Sequence, residues 1–310
     1  MSRTHRVLVL GGSGMLGHKV LQALDARPAQ FEVFGTFRAE EAAQLCRRAV
    51  PGLAPARCLA GVDAIDIQSV ERAVDTSRPQ AIVNCIGVVK QSGAIDDAVP
   101  TIRLNALLPH QLAALCAGRG IRLIQLSTDC VFSGRRGAYN ESDIPDPVDF
   151  YGHSKLLGEV DAVNCLTLRT SIIGWELEHH RSLLGWFATQ RGRRIKGFRR
   201  AVFSGLPTSV LAGLLGELIA SHPALEGLYH VASQPISKFE LLSQLQSSLG
   251  WRDIDIQPDD ELDCDRSLDG RRFAQATGWT APPWSMMIPG LAAERAAYES
   301  GGAQDGSQDV

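Results

Sequence analysis

The chain alternates short aliphatic runs with stretches whose apolar residues recur at helical spacing. The runs are VLVL at 7–10, FEVFGTF at 31–37, AIVNCIG at 81–87 and RLIQLST at 122–128. Near-continuous apolar runs are what strands buried on both faces of a parallel sheet require. Between them, Met15 to Leu24, Ile67 to Val74 and Leu104 to Ala117 carry the helical period. Strand, helix, strand in repetition predicts an α/β fold with a doubly wound parallel sheet. After about residue 170 the rhythm loosens into a basic stretch, RGRRIKGFRR at 191–200, and segments bearing Pro207, Pro235 and Pro258. The expected organisation is a sheet-building domain over 1–170 and a smaller portion over 171–299. Segments of the latter such as LYHVA at 228–232 return to the sheet, and a polar, glycine-rich tail at 300–310 is expected to be disordered.

Composition narrows the classes. With 310 residues, 45% of them hydrophobic and 21% charged, the chain can bury a large core. A formal net charge of -3 supplies no basic field for nucleic acid or an acidic membrane surface, so an anionic ligand has to be held by local groups. No apolar run approaches the roughly 18 residues of a membrane span, and the first one leads into glycines rather than a cleavage site, which places the protein in the cytoplasm. The seven cysteines (Cys46, Cys58, Cys85, Cys116, Cys130, Cys165 and Cys264) are scattered without metal-ligand spacing. They read as reduced thiols, and no metal site is expected.

Chemistry begins where the first strand ends. Gly11, Gly14 and Gly17 fall at three-residue intervals between that strand and a helix, with Ser13, Met15 and Leu16 in the same turn. Small residues there let the backbone approach a pyrophosphate, which free amides and the positive end of the helix then hold. The portion 1–170 therefore reads as a Rossmann-type dinucleotide-binding domain. Where NAD-binding relatives of such folds carry an acid after the second strand, this chain has FGTFR, with Arg38 near that position and no acid before Glu40. A guanidinium suits a 2'-phosphate, so NADPH is favoured over NADH; the plain alternative is a solvated surface arginine. Asp66 and Ile67 follow the expected third strand, where they either contact the adenine or, for Asp66, cap the next helix.

LSTDCVFSG at 126–134 and YGHSK at 151–155 complete a constellation for carbonyl reduction. Tyr151 and Lys155 are four apart, hence on one face of a helix. A phenol is a useful proton donor near neutral pH when a cation lowers its pKa, and Lys155 is placed to do so. Thr128, at the expected end of the fifth strand, can donate to the substrate oxygen, whereas alternation points Ser127 to the other face.

These residues resemble the extended short-chain dehydrogenase/reductase superfamily, specifically the dTDP-4-dehydrorhamnose reductase group. The likeness runs through GGSGMLG at 11–17, NCIG at 84–87, Asn105, STDCVFSG at 127–134 and GAYNESDIPDPVDFYGHSKLLGE at 137–159. It continues in LRTSIIG at 168–174, GLPTSV at 205–210, GLYHVAS at 227–233 and DRSLDGRRFAQATGW at 265–279. The resemblance implies NADPH-dependent reduction of the 4-keto group of a nucleotide-linked 6-deoxyhexose. It puts Thr128 and Tyr151 at the carbonyl, Lys155 on the nicotinamide ribose, Asp129 near the sugar and Arg38 by the cofactor phosphate. It also counts Cys85, Ile86, Gly87 and Tyr151 with the cofactor site. Cys130, where rhamnose reductases usually carry a tyrosine, and the VVKQ continuation of the fourth strand resemble a sister group acting on UDP-linked 2-acetamido-2,6-dideoxy sugars. Lys90, Arg199, Arg200 and Arg266 are candidates for meeting the substrate diphosphate, with a solvated basic loop the equal alternative for the 191–200 run. The metal-bridged acidic interface of some relatives has no matching cluster and is not carried over, and a homodimer stays open. The competing readings are a sugar-nucleotide epimerase or dehydratase retaining NAD, and a non-catalytic cofactor-binding regulatory subunit.

Overall fold

A computed structural model describes residues 4–90, 95, 97–178 and 182–299 of the chain; the tail expected at 300–310 lies outside them. The first strands and helices follow the aliphatic runs: β1 (His5–Leu10), α1 (Gly17–Asp25), β2 (Phe31–Thr36), α2 (Glu40–Ala49), β3 (Cys58–Leu59), α3 (Ile67–Ser77) and β4 (Ala81–Asn84). Next come α4 (Ala98–Thr101), a π-helical turn (Ile102–Leu107), α5 (Leu108–Arg119), β5 (Arg122–Thr128), α6 (Phe150–Leu157) and β6 (Cys165–Thr170). The remainder is β7 (Ile172–Ile173), α7 (Leu183–Ala188), β8 (Arg194–Phe198), β9 (Ala201–Phe203), β10 (Leu206–Pro207), α8 (Thr208–Ser221) and β11 (Gly227–His230). It ends with β12 (Ile236–Ser237), α9 (Lys238–Leu249), β13 (Asp255–Asp259), β14 (Cys264–Asp265), α10 (Arg271–Thr277) and α11 (Trp284–Glu299).

In the described residues, seven strands form a parallel sheet in the order β11-β6-β5-β4-β1-β2-β3. Alternation along β1 divides the core: Val7 and Val9 join the cluster beneath α1 and α8, Leu8 and Leu10 the one beneath α3 and α5. Both faces are thus covered, which is why the run contains no polar residue. The strand order reverses between β1 and β4, and a crevice opens there above the carboxyl ends of the strands.

Two differences from the sequence expectation fall beside this crevice. β4 stops at Asn84, whose Oδ1 accepts from the Ile86 amide at 3.1 Å and curls the chain out of the sheet. The helix expected from Leu104 begins at Leu108, because residues 102–107 take the π-helical turn that carries Asn105. Such turns often mark functional sites.

The second half builds small sheets beyond β6. β8 and β13 pair in parallel, Arg194 opposite Asp255 and Phe198 opposite Asp259, so the basic run lies along an acidic one. Arg191 pairs with Asp253, Arg194 with Asp255, Lys196 with Asp259 and Glu261, Arg199 with Asp260 and Arg200 with Asp263. Of the two readings open for Arg199 and Arg200, the structure shows the solvated one: past the paired register both meet surface carboxylates rather than the crevice. Among the described residues, no helix is long and apolar enough to cross a membrane.

Candidate active site

The turn from β1 into α1 is closed by backbone. Gly11 has φ +78°, and its amide donates to Thr36 Oγ1 at 3.2 Å, while the Gly12 amide donates to Thr36 O at 2.9 Å. Gly17 allows the helix to sit against the turn, since a Cβ there would lie 2.0 Å from Gly11 O. α1 has no side-chain cap and no acid in its first turn. The amides of Ser13, Met15 and Leu16 have no backbone acceptor among the described residues. Free amides with an uncapped helix start fit a pyrophosphate. His18 braces the loop: burial holds its imidazole down to about 4, and the neutral ring bridges Gly14 O at 2.8 Å and the Tyr298 hydroxyl of α11 at 2.6 Å.

Arg38, exposed just past β2, forms no ion pair among the described residues. Glu40, the next acid, opens α2 and faces Arg47 at 3.4 Å. Asp66 caps α3, accepting from the Gln68 amide at 3.1 Å, and lies 3.5 Å from Arg72, with the half-buried Ile67 beside it.

The opposite wall is the NCIG turn. Ile86 packs over Gly11, and the Cys85 amide donates to Leu10 O at 3.1 Å. Gly87 faces Asn105 Oδ1 and Lys155 Nζ. Buried Asn105 accepts from the Val88 amide at 2.8 Å and donates to Val88 O at 2.9 Å and Ser154 Oγ at 3.0 Å, tying this turn to α6.

α6 starts at Asp149, which accepts from the Gly152 amide at 2.8 Å. Tyr151 and Lys155 lie one turn apart on it, as the spacing predicts, but their polar ends have different partners. Lys155 Nζ donates to Leu126 O at 2.7 Å, and burial lowers its pKa to about 8 against the opposing pull of Glu159. Burial raises the Tyr151 phenol above its ordinary range, with Cys130 adding to this and Thr128 opposing it. Lys155, turned to Leu126 O, is not among the groups acting on the phenol, so the lowering expected from it is not seen. Thr128 Oγ1 donates to Asp129 Oδ1 at 3.1 Å and accepts from the Cys130 amide at the same distance. Ser127 points away, donating to Glu159 Oε1 at 2.7 Å.

A cavity of about 480 Å3 borders Tyr151, lined also by Lys90, Ile95, Ala98, Asp149 and Phe150. Lys90 pairs with Asp149 at 2.7 Å. Buried Asp129 has its carboxyl pushed up by burial and pulled back by Arg266, Thr128 and Lys238. Burial also pushes the Cys130 thiol up to about 12. Arg266 donates to Phe132 O at 2.9 Å and reaches Cys130 Sγ at 3.8 Å.

Residues 5–267 match the family described as RmlD substrate binding domain, a span that includes the glycine loop, the crevice and the Thr128, Tyr151 and Lys155 set. The chain belongs to this family. It is 30% identical over 236 residues to the Haloferax volcanii protein named "probable low-salt glycan biosynthesis reductase Agl14", covering 73% of this chain and 74% of that one. It is 32% identical to the Streptomyces niveus dTDP-4-keto-6-deoxy-D-glucose reductase over 164 residues, 53% of this chain but only 49% of that relative. The fold is that of dTDP-4-dehydrorhamnose reductase from Bacillus anthracis, solved in complex with NADP, at a TM-score of 0.75 and 22% identity, covering 94% and 99% of the two chains.

In this RmlD-family chain, Thr128, Asp129, Tyr151, Lys155, Lys90 and Arg266 gather on the β5 and α6 side of the crevice, and Gly11 to Gly17 and Cys85 to Gly87 line its base. Sequence reading missed Lys238, which enters from α9 more than a hundred residues downstream. It also missed Glu159 and Arg169 beneath the site, whose side chains are 13% and 4% exposed.

Proposed function

We propose that this protein reduces the 4-keto group of a nucleotide-linked 6-deoxyhexose with NADPH. The carrying observation is the placement of Tyr151 on the wall of a cavity, with Thr128 at the end of β5 acting on its phenol, Lys155 one helical turn behind and an uncapped glycine loop at the head of the same crevice. The loop amides and α1 would take the pyrophosphate, and Arg38 the 2'-phosphate. Bound NADPH supplies the hydride. Thr128 would turn its hydroxyl from Asp129 to the ketone oxygen, and Tyr151, held protonated by burial, would pass its proton to that oxygen as charge develops. The Lys155 ammonium stabilises the phenolate left behind and suits the ribose hydroxyls. The absence of an acid between β2 and Glu40 supports NADPH over a permanently held NAD, and so reduction over epimerisation.

The test is consumption of NADPH with dTDP-, UDP- and GDP-linked 4-keto-6-deoxysugars. Turnover of one of them is expected, with NADPH preferred to NADH. Arg38→Ala should weaken NADPH on the order of 10- to 100-fold, the worth of a charge-assisted contact, and leave NADH unchanged. Equal loss of both cofactors would remove Arg38 from the 2'-phosphate site.

A pH dependence follows. Lys155, lowered to about 8, is charged below that pH and neutral above it. Turnover is therefore expected to fall as pH rises through about 8. A profile flat to about pH 9.5 would show that the charge on Lys155 is not required.

A further inference from the structure

Lys238 is the first residue of α9, following Ser237, which closes a capping box with Glu240. Its ammonium lies 4.2 Å from the centre of the Phe203 ring. It makes no hydrogen bond or ion pair among the described residues. Arg191, Arg194, Lys196, Arg199 and Arg200 each have a carboxylate, and Lys90 has Asp149. An ammonium under an aromatic ring without an acceptor is costly, and it persists where a ligand or water supplies one.

Its surroundings say what that ligand is. Ser237 of β12 and Asp265 of β14 both pair with Val202 of β9, so Lys238 and Arg266, each one residue on, start from neighbouring positions; Lys238 acts on Asp129 and Cys130, and burial lowers its pKa. Arg266 reaches the same turn from β14, its guanidinium 3.8 Å from Cys130 Sγ. Asp129, the one carboxylate acting on Lys238, already accepts from Thr128 at 3.1 Å. Lys238 and Arg266 both act on this deeply buried carboxylate, whose charged form burial disfavours, and Arg266 alone also feels Asp149, which is already paired with Lys90. Tyr151 feels the same Cys130 and Asp129, which puts the surplus positive charge beside the reacting carbonyl of the proposed substrate.

We propose that Lys238, with Arg266, binds the diphosphate of the substrate, and that Lys238 makes the site select a nucleoside-diphosphate-linked sugar over the free sugar. The inference rests on the reductase reading above. A diphosphate is rich in anionic acceptors, the ammonium brings three donors and the guanidinium a planar fork, so the pair can satisfy it from two sides. Asp129 between them is left for sugar hydroxyls.

The experiment titrates UDP and dTDP into the protein saturated with NADP, using the wild type, Lys238→Gln, Lys238→Met and Lys238→Arg. The expected result is a loss of nucleoside-diphosphate affinity on the order of 10- to 100-fold in the Gln and Met variants, with recovery to within about fivefold in the Arg variant. NADP affinity should stay within about twofold in all four, which also shows that they fold. With an accepted sugar nucleotide, KM should rise by the same factor while kcat holds within about threefold. Wild-type affinity in the Gln and Met variants would overturn the assignment of Lys238 alone. A wild type that binds neither UDP nor dTDP would overturn both it and the nucleotide-sugar reading.

Discussion

Tyr151→Phe is expected to lower kcat for ketone reduction by about 10²- to 10⁴-fold, the usual contribution of a positioned proton donor. The substitution removes one oxygen from a half-buried ring that borders the cavity and leaves the helix that carries it intact. Asn105 ties α6 to the NCIG turn through Ser154 rather than through the phenol. NADPH affinity should therefore stay within about twofold, because the lost interaction is made to the reacting oxygen and not to the cofactor. A variant that binds NADPH and keeps more than about a tenth of wild-type turnover would assign the proton to another donor, and Thr128 would be the next residue to change. Loss of turnover together with loss of cofactor affinity would instead report damage to α6. A wild type that binds cofactor yet turns over no sugar would move this chain toward the non-catalytic, cofactor-binding reading.

What was legible in the sequence was local or periodic. β1, β2 and β5 sit on their apolar runs because a strand buried on both faces admits almost nothing else. The glycine loop was legible because Gly17 has no substitute when Gly11 O lies 2.0 Å from where its Cβ would be. Tyr151 and Lys155 were legible because four residues is one helical turn. The side chains that set charge around them were not, since their partners lie far along the chain. Lys238 comes within electrostatic reach of Asp129 through the packing of α9 against β12 and β9, and no spacing announces it. Arg199 and Arg200 stood open as diphosphate candidates because the acidic counterpart of their run, 61 residues on for Arg199, is matched to it only by the register of β8 with β13. The direction of the Tyr151 pKa was missed for a related reason: sequence spacing shows the neighbouring lysine but not the depth of burial, which dominates.

The largest effect on stability is expected beneath the site. Arg169 of β6 meets Glu159 with both Nε and Nη2 at 2.7 Å, and its Nη1 lies 3.3 Å from His230 Nε2. His230 is buried and lowered to about 4, so it is a neutral partner, and its Nδ1 lies 2.9 Å from Tyr139 O. Arg169→Leu leaves the Glu159 carboxylate buried without its cation and should cost about 3–5 kcal/mol, read as a lower denaturant midpoint at unchanged slope. Replacing both residues by leucine removes the orphaned charge, so the double variant should be more stable than either single one. A cost below about 1 kcal/mol for Arg169→Leu would mean that the pair is as weak as an exposed one. The same carboxylate reaches upward: it accepts from Ser127, the neighbour of Thr128, and it raises the pKa of Lys155 against the effect of burial. Glu159→Gln keeps the hydrogen-bonding shape and removes the charge, so Lys155 should lose its proton at lower pH and the fall in turnover should begin below about 8. An unmoved profile in that variant would confine the Glu159 and Arg169 pair to holding β5, β6 and α6 together.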